Sequence, residues 1–273
     1  MHTQFFAAFS KPRFYCAGLA ALLSLPMLAS AQQEPAEQTE PESSWGLGVA
    51  ALSSQKAFTD MDRDTKVLPF LTYENQYLSW MGPNLDIKLP GLDLGDSQQL
   101  DFALTAQYDF GGYDDDDIRD TPILAGMDER KGGLWAGITA KWSSPWADLS
   151  LQWLSDASGH SKGRRLSLGI ERNWFFGDHL ILTPKISASW LDDKEVNYLY
   201  GVQQHEARLD RPAYTASSTM NIEYGVRGMY LFNQSHSLLL DLSVTSLGSE
   251  IKDSPLVDSS TEQRALFAYI YRF

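Results

Sequence analysis

Apolar and polar residues alternate with a period of two along segment after segment of this 273-residue chain. In LDFALTAQYDF (100–110), apolar side chains occupy nearly every second position, and aspartate, threonine and glutamine lie between them. Segments 164–175 and 219–230 follow the same pattern. Successive side chains of a β-strand point to opposite faces, so the pattern predicts strands with one apolar and one polar face.

Strand length separates a membrane barrel from a soluble β-sandwich. The predicted strands run about 10 to 15 residues, whereas strands of soluble sheets average about 5 to 6. Their polar faces are rich in Gly, Ser, Thr and Asn as well as charged residues. Long alternating strands are typical of outer-membrane barrels, with the apolar face toward lipid and the polar face toward the lumen. We therefore predict an all-β transmembrane antiparallel barrel.

Loop length sets the predicted topology, because such barrels have short periplasmic turns and longer external loops. Placing the long polar connections outside gives ten strands, with both chain ends in the periplasm. The segment 82–97 is interpreted as an elaborate periplasmic connection; if it contains an extra hairpin, the barrel has twelve strands. The ten predicted strands are 45–58, 66–81, 98–110, 133–143, 146–155, 164–175, 179–191, 214–232, 237–247 and 263–273.

Aromatic residues cluster at the ends of these predicted strands, as expected for the two interfacial girdles of a membrane barrel. The periplasmic ends carry Trp45, Trp80, Trp142, Trp146, Trp174, Phe232 and Phe273. The external ends carry Phe110, Trp135, Trp153 and Trp190.

The first 43 residues lie outside the predicted barrel. Lys11 and Arg13 precede an apolar run that ends in an A-x-A cleavage site at 29–31, so residues 1–31 are predicted to be a secretory signal peptide. The polar segment 32–43 is predicted to be a disordered periplasmic leader, and 44–273 the barrel. Cys16 lies within the signal, so the mature chain has no thiol.

Charge and residue types limit the chemistry of the mature chain. Removing the signal removes two basic residues, so the net charge changes from −13 to −15, which argues against nucleic acid as a partner. No histidine lies in a spacing typical of a catalytic triad, and His160 lies in a polar external segment predicted to be flexible. The run Asp114 to Asp117 lacks EF-hand spacing and is interpreted as a solvated external loop, with binding of divalent cations that bridge to lipopolysaccharide phosphates as the alternative. We predict no catalytic, cofactor-binding or metal-binding residue, and no enzyme activity.

The predicted lumen is crowded with charges of both signs, which we expect to pair into a plug. A wide pore is therefore disfavoured, and a narrow solute channel stays an alternative. The lumenal charges are Asp101, Asp109, Lys141, Asp148, Arg165, Glu171, Lys185, Glu223, Arg227, Asp241, Arg264 and Arg272.

The last strand alternates aromatic residues up to Phe273, the final residue of the sequence. It is expected to close the barrel against the first strand, because an open edge is not tolerated in lipid. The row Phe267, Tyr269, Tyr271 and Phe273 is also expected to be the assembly signal for the barrel assembly machinery, which acts by strand addition.

The segment NYLYGVQQHEARLDRPAY (197–214) resembles the signature of the MipA/OmpV family, the MltA-interacting outer-membrane proteins. Segments 64–77 and 254–273 are similar to two further regions of that family. The motif positions are Asn197, Tyr198, Tyr200, Gly201, Val202, Glu206, Ala207 and Tyr214, and Leu199 departs from the pattern.

This resemblance implies a scaffold in the cell outer membrane that contacts a lytic transglycosylase and a murein (peptidoglycan) synthase. It leaves a surface-exposed adhesin or receptor as an alternative. Beyond these enzymes, the expected partners are outer-membrane lipid and lipopolysaccharide. From the residues alone, the motif is expected to fold an external loop rather than to bind a partner, because two tyrosines can cover the lumen mouth.

Overall fold

The computed structural model describes residues 43–273; the predicted signal peptide and all but the last residue of the predicted leader lie outside this range. Three short helices, α1 (Asp115–Asp120), α2 (Asp193–Tyr200) and α3 (Ser249–Lys252), lie in the long connections. None of the helices in 43–273 combines the length and apolar character needed to cross a membrane. The β-segments are β1 Ser44–Gln55, β2 Asp64–Glu74, β3 Leu78–Met81, β4 Asn84–Gly95, β5 Gln98–Asp109, β6 Gly133–Ser143, β7 Asp148–Asp156, β8 Arg164–Glu171, β9 Trp174–Phe176, β10 Leu180–Leu191, β11 Thr219–Leu231, β12 His236–Ser246 and β13 Thr261–Arg272.

These segments form a closed antiparallel barrel of 12 strands, in which β13 pairs with β1. The segments β8 and β9 are one barrel strand, because both pair with β10 in a continuous register. The backbone hydrogen bonding between this strand and β10 is interrupted opposite Pro184. The Pro184 carbonyl accepts a hydrogen bond from the Arg172 N–H, but proline has no N–H to return one.

The expectation of ten strands is therefore wrong, and the twelve-strand alternative is confirmed. The predicted strand 66–81 is two strands, since the chain reverses at Asn75, whose side chain accepts hydrogen bonds from the N–H groups of Tyr77 and Leu78. The segment 82–97 is not a connection, because most of it is β4, which pairs along β5. The predicted strand 214–232 begins only at Thr219.

The four-residue strand β3 joins β2 to the rest of the sheet through only three residue pairs, between 72–74 and 79–81. On its other side, β2 pairs with β1 along its whole length. The part of β2 before residue 71 therefore extends beyond the β3–β4 turn, and β1 is its only paired strand within 43–273.

Side chains along the strands alternate between the outer surface and the lumen, as the sequence predicts. The apolar rows point outward, and the interfacial rings of Trp45, Trp146, Trp153 and Trp174 are exposed on the outer surface. Trp135 was predicted to belong to the external aromatic girdle, and this prediction is wrong. It is only 5% exposed and points into the barrel, where the Arg165 guanidinium lies 4.6 Å from its ring centroid.

Candidate functional site: the lumen and its external cap

Eight charged side chains from the polar faces of neighbouring strands form one chain of ion pairs inside the barrel, which we call the lumenal ladder. Acids and bases alternate along it, four of each. In order, its members are Asp148, Lys141, Glu171, Arg227, Asp241, Lys185, Glu223 and Arg264, with successive N–O distances of 2.9, 3.3, 4.0, 3.0, 2.9, 3.8 and 3.5 Å. The predicted pairing of lumenal charges is thus present among these eight side chains.

A buried apolar cluster lies on the inner wall of β1, β2, β12 and β13. Phe70 packs against the β3–β4 turn, where a Cβ on Gly82 would lie 2.6 Å from its ring. The cluster consists of Ala50, Phe70, Leu239, Ala268 and Ile270, with Met229 and Leu266 packed against it. Sequence reasoning missed this cluster, because Phe70, Leu239 and Ile270 occupy the row predicted to be polar.

The long connections fold together into a compact external cap with its own hydrophobic core. They are 56–63, 110–132, 192–218 and 247–260. The first and last of these are joined by backbone hydrogen bonds, from Thr59 N–H to the Leu256 carbonyl and from Asp258 N–H to the Ala57 carbonyl. The buried core residues are Ala57, Phe58, Met61, Tyr113, Leu124, Met127, Leu191, Val196, Tyr200, Val202, Ala216, Leu247, Ile251 and Leu256.

Most residues of the 197–214 motif hold this cap together. The Asn197 side chain bonds to the backbone N–H and carbonyl of Ala216. The Tyr198 hydroxyl accepts from the Lys131 N–H, and the buried Tyr200 hydroxyl donates to Glu262. Burial, followed by the nearby Glu262 carboxylate, raises the pKa of Tyr200 well above its ordinary value.

The remaining motif residues have unequal roles. Gly201 follows α2, where a Cβ would lie 2.5 Å from the Asn197 carbonyl oxygen. Val202 pairs with Tyr214 in a short bridge. Ala207 is exposed, so packing does not account for its place in the motif.

Glu206 and Arg130 form a buried ion pair at the centre of the cap. Glu206 Oε1 lies 2.6 Å from Arg130 and also accepts from the Asp128 N–H, while Oε2 accepts from the Gln203 N–H. Burial opposes ionisation of Glu206, but these backbone hydrogen bonds and Arg130 outweigh it and lower its pKa. Arg211 is buried beside them and donates to the Glu206, Ile123 and Ala125 carbonyls. Sequence reasoning missed both arginines, because Arg130 binds a carboxylate and Arg211 binds backbone carbonyls that lie on another connection.

A second buried carboxylate lies where the cap meets the barrel rim. Glu195 in α2 is fully buried, and its Oε1 accepts from Arg165, which also donates to Asp109. Its Oε2 has no hydrogen-bond partner in the described part of the chain. Burial raises the pKa of Glu195, and the Arg165 guanidinium compensates only in part.

Two of the histidines in 43–273, His160 and His205, lie in the external connections. His205 Nε2 lies 2.9 Å from Asp128 Oδ2 at the cap surface, and Glu206 lies near both, but the Glu206 oxygens are already engaged. The loop of His160, which was predicted to be flexible, is held by hydrogen bonds. The Asp156 carboxylate accepts from four backbone N–H groups, at 158, 159, 161 and 162, and His160 bonds to the Gly132 carbonyl.

At the opposite end of the barrel, the connections are short. The β4–β5 hairpin presents Leu89, Leu92 and Leu94, which are 40%, 55% and 53% exposed. Phe273 lies beside the first strand, where its N–H donates to the Trp45 carbonyl, and its ring is 75% exposed. The outward rings of Phe267, Tyr269 and Tyr271 continue this row along β13.

Comparison with known proteins places this barrel among outer-membrane proteins. Residues 47–273 match the family described as MltA-interacting protein MipA. Outer membrane protein OmpV of Vibrio cholerae is 26% identical over 85% of this chain and 88% of its own. The MltA-interacting protein of Escherichia coli K12 is 24% identical over 92% of this chain and 98% of its own.

Among solved structures, the NanC porin aligns over 82% of this chain and 98% of its own, with 6% identity and a TM-score of 0.42. The COG4313 outer membrane channel of Pseudomonas putida F1 aligns over 88% of this chain, with 12% identity and the same TM-score of 0.42. The family match extends from the first strand through the cap motif to Phe273. The chain therefore belongs to the MipA family of outer-membrane β-barrel proteins.

Proposed function

We propose that this protein is a non-enzymatic scaffold of the outer membrane that binds a murein-processing enzyme on its periplasmic side. The observation that carries the proposal is the match of nearly the whole barrel to a family described as MltA-interacting. That relative is named for a partner, and the family is not known for enzymes. The partner expected here is a lytic transglycosylase, with a murein synthase as a second member of the complex.

The arrangement of the two barrel ends supports a periplasmic contact. The cap occupies the external end, and the ladder and apolar cluster occupy much of the lumen, so a periplasmic enzyme has access only to the other end. There the β4–β5 hairpin offers the three exposed leucines at 89, 92 and 94 beside Asp93 and Asp96. Exposed apolar side chains ringed by polar residues are typical of interaction surfaces. The leader at 32–43 stays a predicted second contact.

The test is to capture a lytic transglycosylase on the refolded barrel and on Leu92→Ser/Leu94→Ser. Leu209→Ser is the matched control, because Leu209 is fully exposed on the external cap. Weaker capture by the hairpin variant alone supports the proposal. A folded barrel migrates differently before and after boiling. If wild type and both variants keep this difference and capture the enzyme equally, the contact lies elsewhere, and deletion of 32–43 then tests the leader. If the wild-type barrel captures neither a lytic transglycosylase nor a murein synthase, the proposed scaffold function is wrong.

Two features favour other functions. Leu209 lies at the tip of a cap turn fixed by Arg208 and the buried Arg211, as expected of a rigid external binding surface for an adhesin or receptor. Adhesion of cells expressing Leu209→Ser tests this function.

The Arg264 side chain is 52% exposed inside the barrel, as expected of a narrow water-filled channel. Conductance in planar bilayers, compared between wild type and Arg264→Gln, tests the channel.

A further inference from the structure

An open cleft of about 370 Å³ lies on the external surface, between the cap and the β7–β8 connection. One side is a face of α2 that carries Lys194, Asn197 and Tyr198, because residues three and four apart lie on the same face of a helix. Lys162 lines the cleft from the β7–β8 connection, and Tyr214 lines it from the end of the family motif. The cleft is therefore built from the 197–214 motif together with one barrel loop.

Contacts between the two sides hold the cleft in shape. Gly163 packs against the first turn of α2, since a Cβ on it would lie 2.7 Å from Glu195 Cβ and 3.0 Å from Asp192 Oδ1. Lys162 has a φ of 54°, a left-handed conformation that is uncommon outside glycine, and its N–H donates to Asp156 Oδ2. The backbone that carries Lys162 is thus fixed before any ligand arrives, which lowers the entropic cost of binding.

The cleft is basic, although the whole chain is acidic. Among the described residues, no acidic side chain lines it, and neither Lys162 nor Lys194 forms an ion pair. The Asp156 carboxylate is occupied by N–H groups of its own loop, and the exposed Asp193 forms no ion pair with the lysine that follows it. By contrast, Lys131 in a neighbouring connection is paired with a glutamate. Both cleft lysines are therefore available to an anionic ligand.

Arg164 and two tryptophans place this region at the level of the lipid head groups. Trp153, Leu166 and Trp190 form one outward-facing row across β7, β8 and β10, because Leu166 pairs with both tryptophans. Indole rings at the ends of barrel strands mark the boundary of the hydrocarbon. Arg164 is exposed on the same outward face, two residues or about 7 Å further toward the external side, and forms no ion pair within 43–273. An anionic group just outside the hydrocarbon can therefore reach its guanidinium.

The other side chains of the cleft suit a sugar. The half-buried rings of Tyr198 and Tyr214 offer apolar surface to a sugar ring. The exposed side chains of Gln203 and Thr215 also line the cleft and engage no other group in the described chain, so they are free to bond to hydroxyls. The membrane leaflet that faces this end of an outer-membrane barrel is lipopolysaccharide, which combines phosphates at the head group with acidic sugars beyond it.

We propose that this cleft binds an anionic core sugar of lipopolysaccharide, with Lys162 and Lys194 on its phosphate or carboxylate, and that Arg164 holds a head-group phosphate of the same molecule. Unlike the acidic run at 114–117, this site needs no bridging metal ion. It attaches one side of the cap to the surrounding leaflet. The site is separate from the periplasmic contact proposed above, so either proposal can fail without the other.

The first test uses the full chain refolded in detergent, with the deacylated, phosphorylated core oligosaccharide of lipopolysaccharide as a fluorescently labelled probe. Without acyl chains, the probe reports the sugar contacts alone, and its anisotropy measures binding at fixed ionic strength. Lys162→Gln/Lys194→Gln removes both cleft charges, and Lys66→Gln/Lys252→Gln removes two charges from other external segments as the matched control. We expect about tenfold weaker binding by the cleft variant and unchanged binding by the control, because only the first loses charge-assisted hydrogen bonds.

Three results of this test would overturn the proposal. The cleft variant could bind as tightly as wild type, or the control could lose as much affinity, which would mean general charge attraction. Inorganic phosphate at the concentration of the probe could also displace it, which would mean a site for a small anion only. The difference in migration between boiled and unboiled samples confirms that each variant is folded.

The second test addresses Arg164 in complete lipopolysaccharide. Native mass spectrometry counts the lipopolysaccharide molecules that remain on barrels purified from outer membranes. We expect fewer on Arg164→Gln than on wild type, and an unchanged number on Lys66→Gln/Lys252→Gln. An unchanged number on Arg164→Gln would overturn the head-group contact.

Discussion

Lys185 Nζ lies 2.9 Å from both carboxylate oxygens of Asp241, although the two residues belong to β10 and β12 and β11 runs between them. The side chain of Lys185 crosses β11 at Gly225, its paired neighbour. A glycine at this position leaves the space that the lysine methylenes occupy, so the lumenal ladder depends on a missing side chain as well as on its charges.

Gly225→Ala is expected to destabilise the barrel. The new Cβ would lie 2.6 Å from Lys185 Cε and 3.0 Å from the Leu242 carbonyl oxygen, so overpacking should cost about 1–3 kcal/mol. Gly228→Ala, on the same strand, is the control, because its nearest neighbour lies 3.4 Å away. Urea unfolding in detergent, followed by tryptophan fluorescence, measures both; equal midpoints would show that Lys185 can take another path.

Asp241→Asn is expected to weaken the ladder at its centre, because Asp241 pairs with both Lys185 and Arg227. Removing one member of a buried pair costs about 3–5 kcal/mol, and the lower end is expected here because both bases keep a longer contact with a glutamate. Asp64→Asn breaks the exposed pair with Lys66 and should cost about 0–1 kcal/mol. The same unfolding experiment compares the two variants.

Glu206→Gln should loosen the cap without opening the barrel. Glu206 Oε1 accepts from two donors and Oε2 from a third, and an amide nitrogen placed at either position faces a donor. We expect faster proteolysis within 192–218 and an unchanged shift in migration between boiled and unboiled samples. Asp128→Asn is the exposed control. Loss of the heat-modifiable band would instead make the cap essential to the barrel.

Glu195 should make cap stability fall as the pH rises. Its pKa is raised in the folded protein, so the folded state holds a proton that the unfolded state releases above the ordinary glutamate pKa of about 4.3. The stabilisation is full below that value and is lost as the pH rises through the higher folded pKa. Tryptophan fluorescence during unfolding from pH 4 upward measures the slope, and Glu195→Gln should reduce it; an identical slope would assign the effect to another group.

Phe273→Ser is expected to impair assembly more than stability. The folded ring is largely exposed and contacts Tyr271, with ring centroids 5.0 Å apart, so its removal costs the finished barrel little. Phe232→Ser removes another exposed ring from the same end of the barrel and is the control. Membrane levels in cells, set against unfolding midpoints of refolded protein, separate the two effects. Normal levels of Phe273→Ser would remove the terminal phenylalanine from the assembly signal.

The sequence pattern predicted most strands, because every strand has one face toward the lipid and that face is apolar along its length. It failed at 82–97, where Pro90 and Gly91 resemble a loop; β4 tolerates them because a bulge interrupts its pairing with β5 there. It also merged β2 with β3, since the intervening turn contains no glycine or proline.

The cap was predicted only in part. The tyrosines and the asparagine of the 197–214 motif are recognisable in the sequence, but Arg130 and Arg211 satisfy carbonyls and a carboxylate from other loops. Such contacts leave no periodic pattern, because each depends on how four separate connections meet in space. Trp135 is a different case: its position matched a girdle, but Lys141 on the same strand was predicted to face the lumen, so alternation alone places Trp135 inside.

The bridge between Phe58 and Val257 joins the first external connection to the last, across the strand pair that closes the barrel. We expect these two residues to come together late in folding, because almost the whole barrel sequence separates them. The cap core is therefore a late-forming unit of high contact order, and its protection from hydrogen exchange should appear after that of the hairpins. A barrel that stalls before closure would have four open loops where the finished protein has a sealed surface, so chaperones and proteases could distinguish the two from outside the lipid.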